Sequence, residues 1–567
     1  MEKKELERQI TIAALENAVK FSGKPKQGTI IGKLFSLEPE LKKDMKNISP
    51  MISKIMEEVS SMNPEEQKKR LLELDPGFND KEKEKKEKRK KEARELPPLK
   101  DAKEGEVVTR MPPGPSKHPH IGHAISFGIN YLYAREYDGK CILRFDDTNP
   151  EVEKQEFVNA NEEDIIDYLG FKPDSIVFAS DLMDELYAYA DDLIEQGRAY
   201  ACSCPSEIIS ESRKEMEGCQ HREQDKNETY AIWEGMKEGT NTEYALRLKI
   251  DMEHKNAVMR DPVIFRVIDS PHYRQGKKYK AWPTYDFESP IVDGICGITH
   301  VLRSNEFDSR IELHHHLAEI LGFSKIPYKH YGRVNITGSL TKGREIRSKI
   351  DNGDFIGWDD PRLVTLKALR RRGITRDAII NIVKMAGLSK QNTNIDFSVI
   401  AAENRKILDA ESKRYFFIEE PHKVKIKGAP KQEIMLKSHP ASEKRERKFS
   451  TGEEFLIEEK DLKALKEGKM SRLMDCLNFK VDGGEISFHS SDISEYKKSG
   501  DKIIHWLPAE GNITTDIMMP DGSMKSGLAE KNIKDIKEDS IIQFERFGFC
   551  RLDKKEKDRY IFWYTHD

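Results

Sequence analysis

Two histidines, His120 and His123, stand three positions apart behind a proline-rich loop, and their type and spacing suit the binding of an anion. Residues Val107–Thr109 predict a short buried strand, and residues 121–136 predict a helix after the turn. The start of a helix presents unpaired N–H groups and the positive end of the helix dipole, and this spacing puts both imidazoles on one face. We therefore expect a site for the phosphates of a nucleotide such as ATP. The alternative is that the two histidines only cap the helix.

A second set of side chains has the spacing of metal ligands. Cys202 and Cys204 are followed by Cys219 and His221, a Cys-x-Cys and Cys-x-His arrangement. Three thiolates and one imidazole complete the tetrahedral coordination of zinc, and a closed set of four leaves no position for catalysis. The pattern predicts a structural Zn²⁺ ion. The alternative is a surface hairpin with cysteines that bind no metal.

Length and composition narrow the class of protein. With 567 residues, 37% of them hydrophobic, the chain is long enough for three to five domains. It contains no apolar run of membrane-spanning length, and its first residues lack the apolar core of a signal peptide. Seven scattered cysteines argue against a disulfide framework, so we expect a cytoplasmic protein with no membrane partner. The net charge of −4 means that a polyanionic partner must be met by local basic patches.

Hydrophobic periodicity divides the chain into unlike regions. Strands and helices alternate from Glu104 onward, which predicts a doubly wound parallel sheet. The pattern changes to mixed strands between about residues 201 and 282, and this change predicts an inserted domain. The parallel sheet is expected to resume over residues 291–302 and to give way to helices over 361–409. Short β segments after Glu411 predict β-barrels.

The first 78 residues predict a separate helical module. Ile10 and Ile52 each begin an apolar stripe with helical spacing. A run of mixed charge follows over residues 80–95, which is typical of a solvated helix or tether and less so of a dedicated grip on RNA. Such a module offers a surface for a protein partner.

The loop and helix start around His120 resemble the first signature, His-Ile-Gly-His, of class I aminoacyl-tRNA synthetases. The resemblance continues in the order found in the glutamyl and glutaminyl subgroup, through Arg144–Pro150, Tyr285–Phe287, Gly297–Ser304 and Gly357–Arg362. It covers roughly residues 100 to 567. The resemblance implies activation of an amino acid by ATP with Mg²⁺, followed by transfer to the 3′-terminal adenosine of tRNA. The C-terminal β segments and the N-terminal helical extension favour the archaeal type.

The pattern and the resemblance together imply a multidomain α/β protein built around a class I Rossmann-like catalytic domain. The expected parts are an N-terminal helical module (residues 1–78), a charged linker (79–100), the first half of the catalytic domain (101–200), an inserted acceptor-binding domain with the zinc ligands (201–282), the second catalytic half with the second signature (283–350), a helical region that contacts the tRNA stem (351–410) and a β-barrel anticodon-binding region (411–567).

The resemblance also implies functional residues. The ATP-binding residues are Pro113, Gly114, Pro115, Ser116, His120, Gly122, His123 and Lys342. Catalysis is assigned to His120, His123, Lys342 and Arg344. The second signature is normally Lys-Met-Ser-Lys-Ser, and the matching segment here, Ser339–Glu345, differs from it. Which of Lys342 and Arg344 binds the phosphates therefore stays open.

The glutamate-binding residues implied by the resemblance are Arg110, Gly114, Asp146, Tyr285 and Arg303. Arg303 discriminates between amino acids, because a guanidinium matches a γ-carboxylate, whereas an uncharged amide would leave it buried without a partner. One alternative is that Arg303 pairs with Glu306 or Asp308 for structure alone. Another is that Asp146 merely caps the following helix.

These residues predict an enzyme that joins L-glutamate to tRNA(Glu) through glutamyl-adenylate, and they leave open whether tRNA(Gln) is charged as well. One alternative is a glutaminyl enzyme, which shares almost every motif. Another is a catalytically weak RNA-binding assembly protein, which the altered second signature and the N-terminal helical module suggest.

Overall fold

A computed structural model describes residues 3–20, 25–37, 41, 45–78, 96–443, 445–557 and 559–567. The chain divides into two compact units, Met1–Glu95 and Leu96–Asp567. The mixed-charge run over residues 80–95 lies outside the described residues. Among the described residues, no helix combines the length and the apolar character that crossing a lipid bilayer requires.

The first unit is helical where it is described. Its helices are Lys3–Lys20, Gln27–Leu37, Met45–Ser61 and Pro64–Leu74. The two apolar stripes of the sequence form its core, since Ile10 and Ile52 have no solvent exposure and lie in one apolar cluster. The last helix starts with a capping box, in which Asn63 accepts from the backbone N–H of Glu66 and the Glu66 side chain accepts from that of Asn63.

The second unit begins with the expected parallel sheet. Strands Val108–Met111, Lys140–Phe145 and Ser175–Phe178 pair in parallel, with Lys140–Phe145 in the centre. A second parallel pair, Val301–Ser304 with Tyr328–Tyr331, continues beside the first strand, because the backbone N–H groups that precede it donate to Val108 O. Each strand-to-strand connection runs through helices, which bury both faces of a sheet of this kind.

Helices flank this sheet at the predicted places. The first is Ile121–Glu136, and the second is an α-helix, Gln155–Glu162, that continues as a π-helical turn, Glu163–Tyr168. Met183–Glu195 follows and leads into the inserted domain.

The inserted domain is a four-stranded antiparallel sheet with helices beside it. Its strands are Ala199–Cys202, Ala245–Leu248, Val263–Val267 and Ala281–Pro283, and they pair in chain order. Its helices are Ser206–Glu215 and Lys226–Glu238. Trp233 and Trp282 are buried in an apolar cluster that the inserted domain shares with the helices Met183–Glu195, Tyr285–Ile295 and Ile311–Ile320.

The expectation of a strand over residues 291–302 is corrected by the structure. Residues Tyr285–Ile295 form a helix, and the parallel sheet resumes only at Val301–Ser304. Phe287 and Ile291 lie four positions apart, the spacing of a helix face, and every residue from Phe287 to Asp293 is buried. The short apolar run at Ile291 fits either structure when read without its neighbours.

Helices then carry the chain to the C-terminal region. They are Ile311–Ile320, Gly343–Asp351, Leu366–Arg371, Arg376–Ala386 and Phe397–Glu411, and one short parallel pair, Val334–Ile336 with Thr393–Ile395, lies between them. Gly128 permits close packing here, because a side chain at that position would collide with Val383.

The C-terminal region consists of β-sheets, as the short β segments predict. Its strands are Arg414–Tyr415, Phe417–Glu419, Pro421–Lys425, Gln432–Lys437, Arg445–Thr451, Glu454–Glu458, Met470–Leu473, Asn478–Asp482, Glu485–Ser490, Gly500–Ile504, Leu507–Pro508, Ile513–Met518, Met524–Ala529, Ile541–Phe544, Gly548–Lys555 and Arg559–His566. Short helices Glu459–Lys463 and Ile493–Ser499 interrupt them.

One of these sheets closes on itself. Its seven strands run from Arg414–Tyr415 at one edge to Phe417–Glu419 at the other, and only Phe416 separates these two edge strands in the chain. Because a single extended stretch pairs with both ends of the sheet, the sheet curls into a barrel. The remaining strands wrap a separate apolar core that contains Trp506.

Candidate active site

The two histidines cap the signature helix and hold each other's geometry. His120 Nδ1 accepts a hydrogen bond from the backbone N–H of Gly122 at 3.0 Å, and His123 Nδ1 accepts from that of His120 at 3.1 Å. Burial lowers the pKa of His120 to about 3 and brings that of His123 well below its usual range. Both rings are therefore neutral, and because each Nδ1 accepts, each Nε2 carries the hydrogen and can donate. A Cβ at Gly122 would lie 2.9 Å from the His120 ring, so this position requires glycine.

A cavity of about 700 Å³ opens beside these rings and collects most of the residues that the sequence selects. Its lining includes Arg110, Pro113, Gly114, His120, Gly122, His123, Asp146, Tyr285, Arg303 and Lys342. The histidines thus cap the helix and also line a cavity shared with the residues assigned to glutamate.

Three selected residues lie outside this lining. The carbonyl of Pro115 accepts from the backbone N–H of Lys154, and the carbonyl of Ser116 accepts from Arg347 at 3.0 Å. Both groups therefore serve the packing of the loop. Arg344 is exposed on the helix Gly343–Asp351 and does not line the cavity.

The floor of the cavity is a buried row of alternating charges. Arg110 Nε and Arg144 Nη1 both donate to one oxygen of Asp293, at 2.8 and 2.6 Å. Arg144 Nε also donates to Asp146 at 2.7 Å. Burial opposes the charge of Asp293, but the two guanidiniums hold its pKa below the usual value. Burial raises the pKa of Asp146 in spite of Arg144. Asp146 is thus tied to Arg144 and does not cap a helix.

Sequence reasoning missed Arg144 and Asp293. Arg144 opens the segment that carries Asp146, so its position was visible, whereas its role depends on an aspartate far along the chain. Asp293 lies on the helix that the sequence misassigned as a strand, with no solvent exposure. Charged residues buried this fully are rare unless they are paired, and here they hold Arg110 and Asp146 in place.

Arg303 is held by neutral groups and keeps one donor unused. Its Nη1 donates to the Tyr285 hydroxyl at 2.6 Å, and its Nε donates to His330 Nε2 at 3.2 Å. Its Nη2 is buried and has no hydrogen-bond partner among the residues that the structure describes. The alternative of a direct ion pair is not realised, because Glu306 pairs with Arg333 and Asp308 pairs with His330. Arg303 therefore presents an uncompensated positive charge to the cavity.

The altered second signature lies at the opposite end of the cavity. Lys342 precedes the helix Gly343–Asp351, and its ammonium pairs with Glu345 at 2.9 Å. Lys117, a residue that sequence reasoning did not select, also lines the cavity and approaches the carbonyl oxygen of Thr341 at 3.5 Å. Its basic side chain within the proline-rich loop was the available signal.

The arrangement can hold two anions in one cavity. One end has the neutral N–H donors of His120 and His123 together with lysines, and the other end has Arg110, Arg303 and the carboxylate of Asp146. Such a site can place a carboxylate against a phosphate and stabilise the negative charge that develops between them.

The four candidate metal ligands come together in the inserted domain. Their ligand atoms lie within 4.8 Å of one another, with Cys202 Sγ and Cys219 Sγ 3.8 Å apart and Cys204 Sγ 3.5 Å from His221 Nδ1. Zn–S bonds of about 2.3 Å in a tetrahedron separate two sulfurs by about 3.8 Å, so the donor set and its spacing fit zinc. The Ser203 hydroxyl lies 3.3 Å from His221 Nε2, where it can orient the ring.

We expect the purified protein to carry about one zinc ion per chain. Cys219→Ser removes one of four ligands, so we expect loss of the metal and faster proteolysis within residues 201–222. Metal analysis and limited proteolysis measure both effects. Cys296→Ser, which changes a thiol outside the cluster, is the matched control and should keep the metal. Freshly purified, reduced protein without zinc would contradict the assignment.

Three family descriptions match consecutive parts of the chain. Residues 106–410 match "tRNA synthetases class I (E and Q), catalytic domain". Residues 412–498 and 503–553 match two anti-codon binding domains of the same group. The catalytic match includes every residue of the cavity described above.

Relatives align with nearly the whole chain. A glutamate–tRNA ligase of Pyrococcus furiosus is 38% identical over 581 residues, which cover 99% of this chain and 100% of the relative. One of Methanocaldococcus jannaschii is 38% identical over 568 residues, with the same two coverages. A crystal structure of a glutamate tRNA ligase from Elizabethkingia meningosepticum is 18% identical and covers 54% of this chain and 70% of its own, with a TM-score of 0.37, a likeness too distant to bear on function. The matching domains and the full-length relatives together place this chain in the class I tRNA synthetases of the glutamate and glutamine group.

Proposed function

We propose that this chain ligates L-glutamate to the 3′ end of tRNA(Glu), using ATP with Mg²⁺ and passing through glutamyl-adenylate. The observation that carries the proposal is the unused, buried Nη2 donor of Arg303. A buried guanidinium without an acidic partner is costly, and a substrate γ-carboxylate would remove that cost. The archaeal relatives bear the name glutamate–tRNA ligase, which accords with this choice of amino acid.

Glutamate would lie along the charged floor of the cavity. Arg303 and the Tyr285 hydroxyl would bind its γ-carboxylate, Asp146 would offset its ammonium group, and Arg110 would meet its α-carboxylate. Arg110 keeps an unpartnered Nη1 atom for that contact. Gly114 has no side chain to offer, so only its backbone could take part.

In the first step, an α-carboxylate oxygen of glutamate would attack the α-phosphorus of ATP. The new bond joins that oxygen to phosphorus, and the bond from phosphorus to the bridging oxygen breaks, so that pyrophosphate leaves. The Nε2–H groups of His120 and His123 would donate to the phosphate oxygens, and Lys342 would add positive charge. In the second step, a ribose hydroxyl of the tRNA attacks the acyl carbon, and AMP leaves.

The rest of the chain would hold the tRNA. We assign the acceptor end to the inserted domain, the stem to the helical region 351–410 and the anticodon to the C-terminal sheets. In support, the C-terminal sheets match anti-codon binding domains. Structural zinc would tie Cys202–Cys204 to Cys219–His221 and so shape the inserted domain.

Location and a protein partner are also proposals. None of the seven cysteines forms a disulfide, which accords with a reducing, cytoplasmic compartment. Within the described part of residues 1–78, the apolar stripes pack against each other, so a protein partner would have to use the polar surface of this module.

Aminoacylation assays test the proposal directly. Glutamate and glutamine are each offered with purified tRNA(Glu) and tRNA(Gln), and glutamyl-tRNA(Glu) is the expected product. Charging of tRNA(Gln) with glutamate would mark a non-discriminating enzyme of the same chemistry. Preferred use of glutamine would instead identify a glutaminyl enzyme. Failure to charge either tRNA would favour the RNA-binding assembly protein.

A further inference from the structure

Two of the cations that line the active-site cavity have no acidic partner among the described residues. Arg110 pairs with Asp293, Arg333 pairs with Glu306, and Lys342 pairs with Glu345. Arg303 and Lys117 form no such pair. Arg303 faces the proposed γ-carboxylate. The charge of Glu306 acts on Lys117 from a distance, but Glu306 pairs with Arg333, so Lys117 is the cation with no counter-charge in contact.

Lys117 lies at the phosphate end of the cavity. It shares the lining with His120 and His123, and its positive charge helps to depress the pKa of both rings after their burial. Its own ammonium is half-buried, and burial lowers its pKa. The hydrogen bond to Thr341 O, at 3.5 Å, is long and satisfies no charge. A half-buried ammonium in this position is suited to an anion that arrives with the substrate.

The second signature leaves space for the side chain of Lys117. A Cβ at Gly343 would lie 3.1 Å from Lys117 Cδ and 3.2 Å from Lys117 Cβ, so the aliphatic stem of Lys117 lies directly against Gly343. A side chain at position 343 would require that stem to shift by a few tenths of an ångström. The usual signature has a lysine and a serine after its first serine, whereas this chain has Lys342 followed by glycine. The departure therefore makes room for a cation from another loop.

We propose that Lys117 binds the phosphates of ATP during adenylation, as a second cation beside Lys342, and that Gly343 is glycine in order to admit it. The proposal rests on the adenylation reaction proposed above. Arg344 is the other cation near the signature, but it is exposed and does not line the cavity. We therefore assign the second phosphate-binding cation to Lys117 and not to Arg344.

Equilibrium binding without any amino acid tests Lys117 independently of the overall reaction. Lys117→Met keeps the aliphatic stem and removes the charge. We expect ATP affinity to fall about tenfold or more, because one charge-assisted contact of about 1.5 to 3 kcal/mol is lost. Affinity for adenosine, which has no phosphate, should stay unchanged. Lys172→Met, at an exposed lysine on the same domain, is the matched control and should bind ATP normally.

A double-mutant cycle tests the contact with Gly343. Gly343→Ala adds a methyl group that must displace the Lys117 stem, so we expect weaker ATP binding in the parent protein. In a Lys117→Ala background the stem is gone, and the same change should have little further effect. Thermal unfolding should not fall, because alanine favours the helix Gly343–Asp351. Independent, additive losses would show that Gly343 does not act through Lys117.

The outcomes separate the two proposals. Equal ATP affinity of the parent protein and Lys117→Met would overturn the role of Lys117, and an equal loss of adenosine affinity would reduce it to a structural one. Loss of ATP binding in Lys117→Met together with no glutamate-dependent exchange of pyrophosphate in the parent protein would keep the phosphate site and reject the proposed reaction. Lys117→Arg, which restores the charge, should recover part of the ATP affinity.

Discussion

Arg303→Cys is expected to abolish most glutamate turnover while glutamine turnover falls far less or rises. Arg303 is 5% exposed and supplies a donor that has no other partner. Without it, the γ-carboxylate of bound glutamate would be buried with no compensating charge. The cost is about 3 to 5 kcal/mol, a loss of roughly 10² to 10⁴ in the use of glutamate. Glutamine has an uncharged amide and needs no cation, so the ratio of the two turnovers should fall steeply.

Parallel steady-state assays with both amino acids measure this ratio, and glutamine serves as the internal control for folding. Tyr285→Phe is a useful companion variant. It removes the hydroxyl that accepts from Arg303 at 2.6 Å but keeps the charge, so it should shift the ratio less. If Arg303 only supported the surrounding loop, Arg303→Cys would weaken both amino acids equally. An unchanged ratio would therefore remove Arg303 from the glutamate pocket.

His123→Ala is expected to slow adenylation by about 10² to 10³, because it removes a preorganised donor from a site shielded from water. The neutral ring needs no rearrangement to donate from Nε2, since its Nδ1 is already occupied by the backbone N–H of His120. Pyrophosphate exchange measures the rate of this step. A near-normal rate would exclude His123 from the phosphate site.

Loss of the ring also removes one bond at the helix start, for which we expect a destabilisation of only about 1 kcal/mol. Thermal unfolding separates this effect from the catalytic one. His422→Ala, at an exposed histidine in the C-terminal region, is the control and should leave the exchange rate unchanged. The two rings share one hydrogen-bonded cap. The double variant His120→Ala, His123→Ala should therefore slow adenylation by less than the product of the two single-variant factors.

Local signals in the chain were sufficient for the signature helix and for the cluster of candidate metal ligands. The predicted helix over residues 121–136 agrees with the observed Ile121–Glu136, because loop prolines, a capping residue and regular apolar spacing all act within a few positions. The four candidate metal ligands also meet, since only 14 residues separate Cys204 from Cys219. The family resemblance extended these signals, and the matching domains confirm the multidomain α/β fold.

Local sequence signals could not predict contacts between segments that are distant in the chain. The strand expected at Ile291 is a helix that is buried from Phe287 to Asp293, and a short apolar run fits both periodicities. Arg144 and Asp293 are separated by 149 positions in the chain, and their partnership exists only where two strands and a helix converge. The single stretch that closes the barrel likewise depends on pairing with strands more than 100 residues away.

At the phosphate end of the cavity, the residue types were also visible in the sequence, whereas their contacts were not. The sequence reveals both that Lys117 is basic and that the second signature lacks its usual residues, yet nothing in their spacing connects the two. Thr341 lies 224 positions beyond Lys117 in the chain, and folding brings the lysine stem against Gly343. Residue types and short spacings specify which chemistry a chain can perform, because capping and ligation act locally. Which charges remain uncompensated is a property of packing, because Asp293, which neutralises Arg110 and Arg144, comes from a distant segment. The partners proposed for Arg303 and Lys117 come from the substrates.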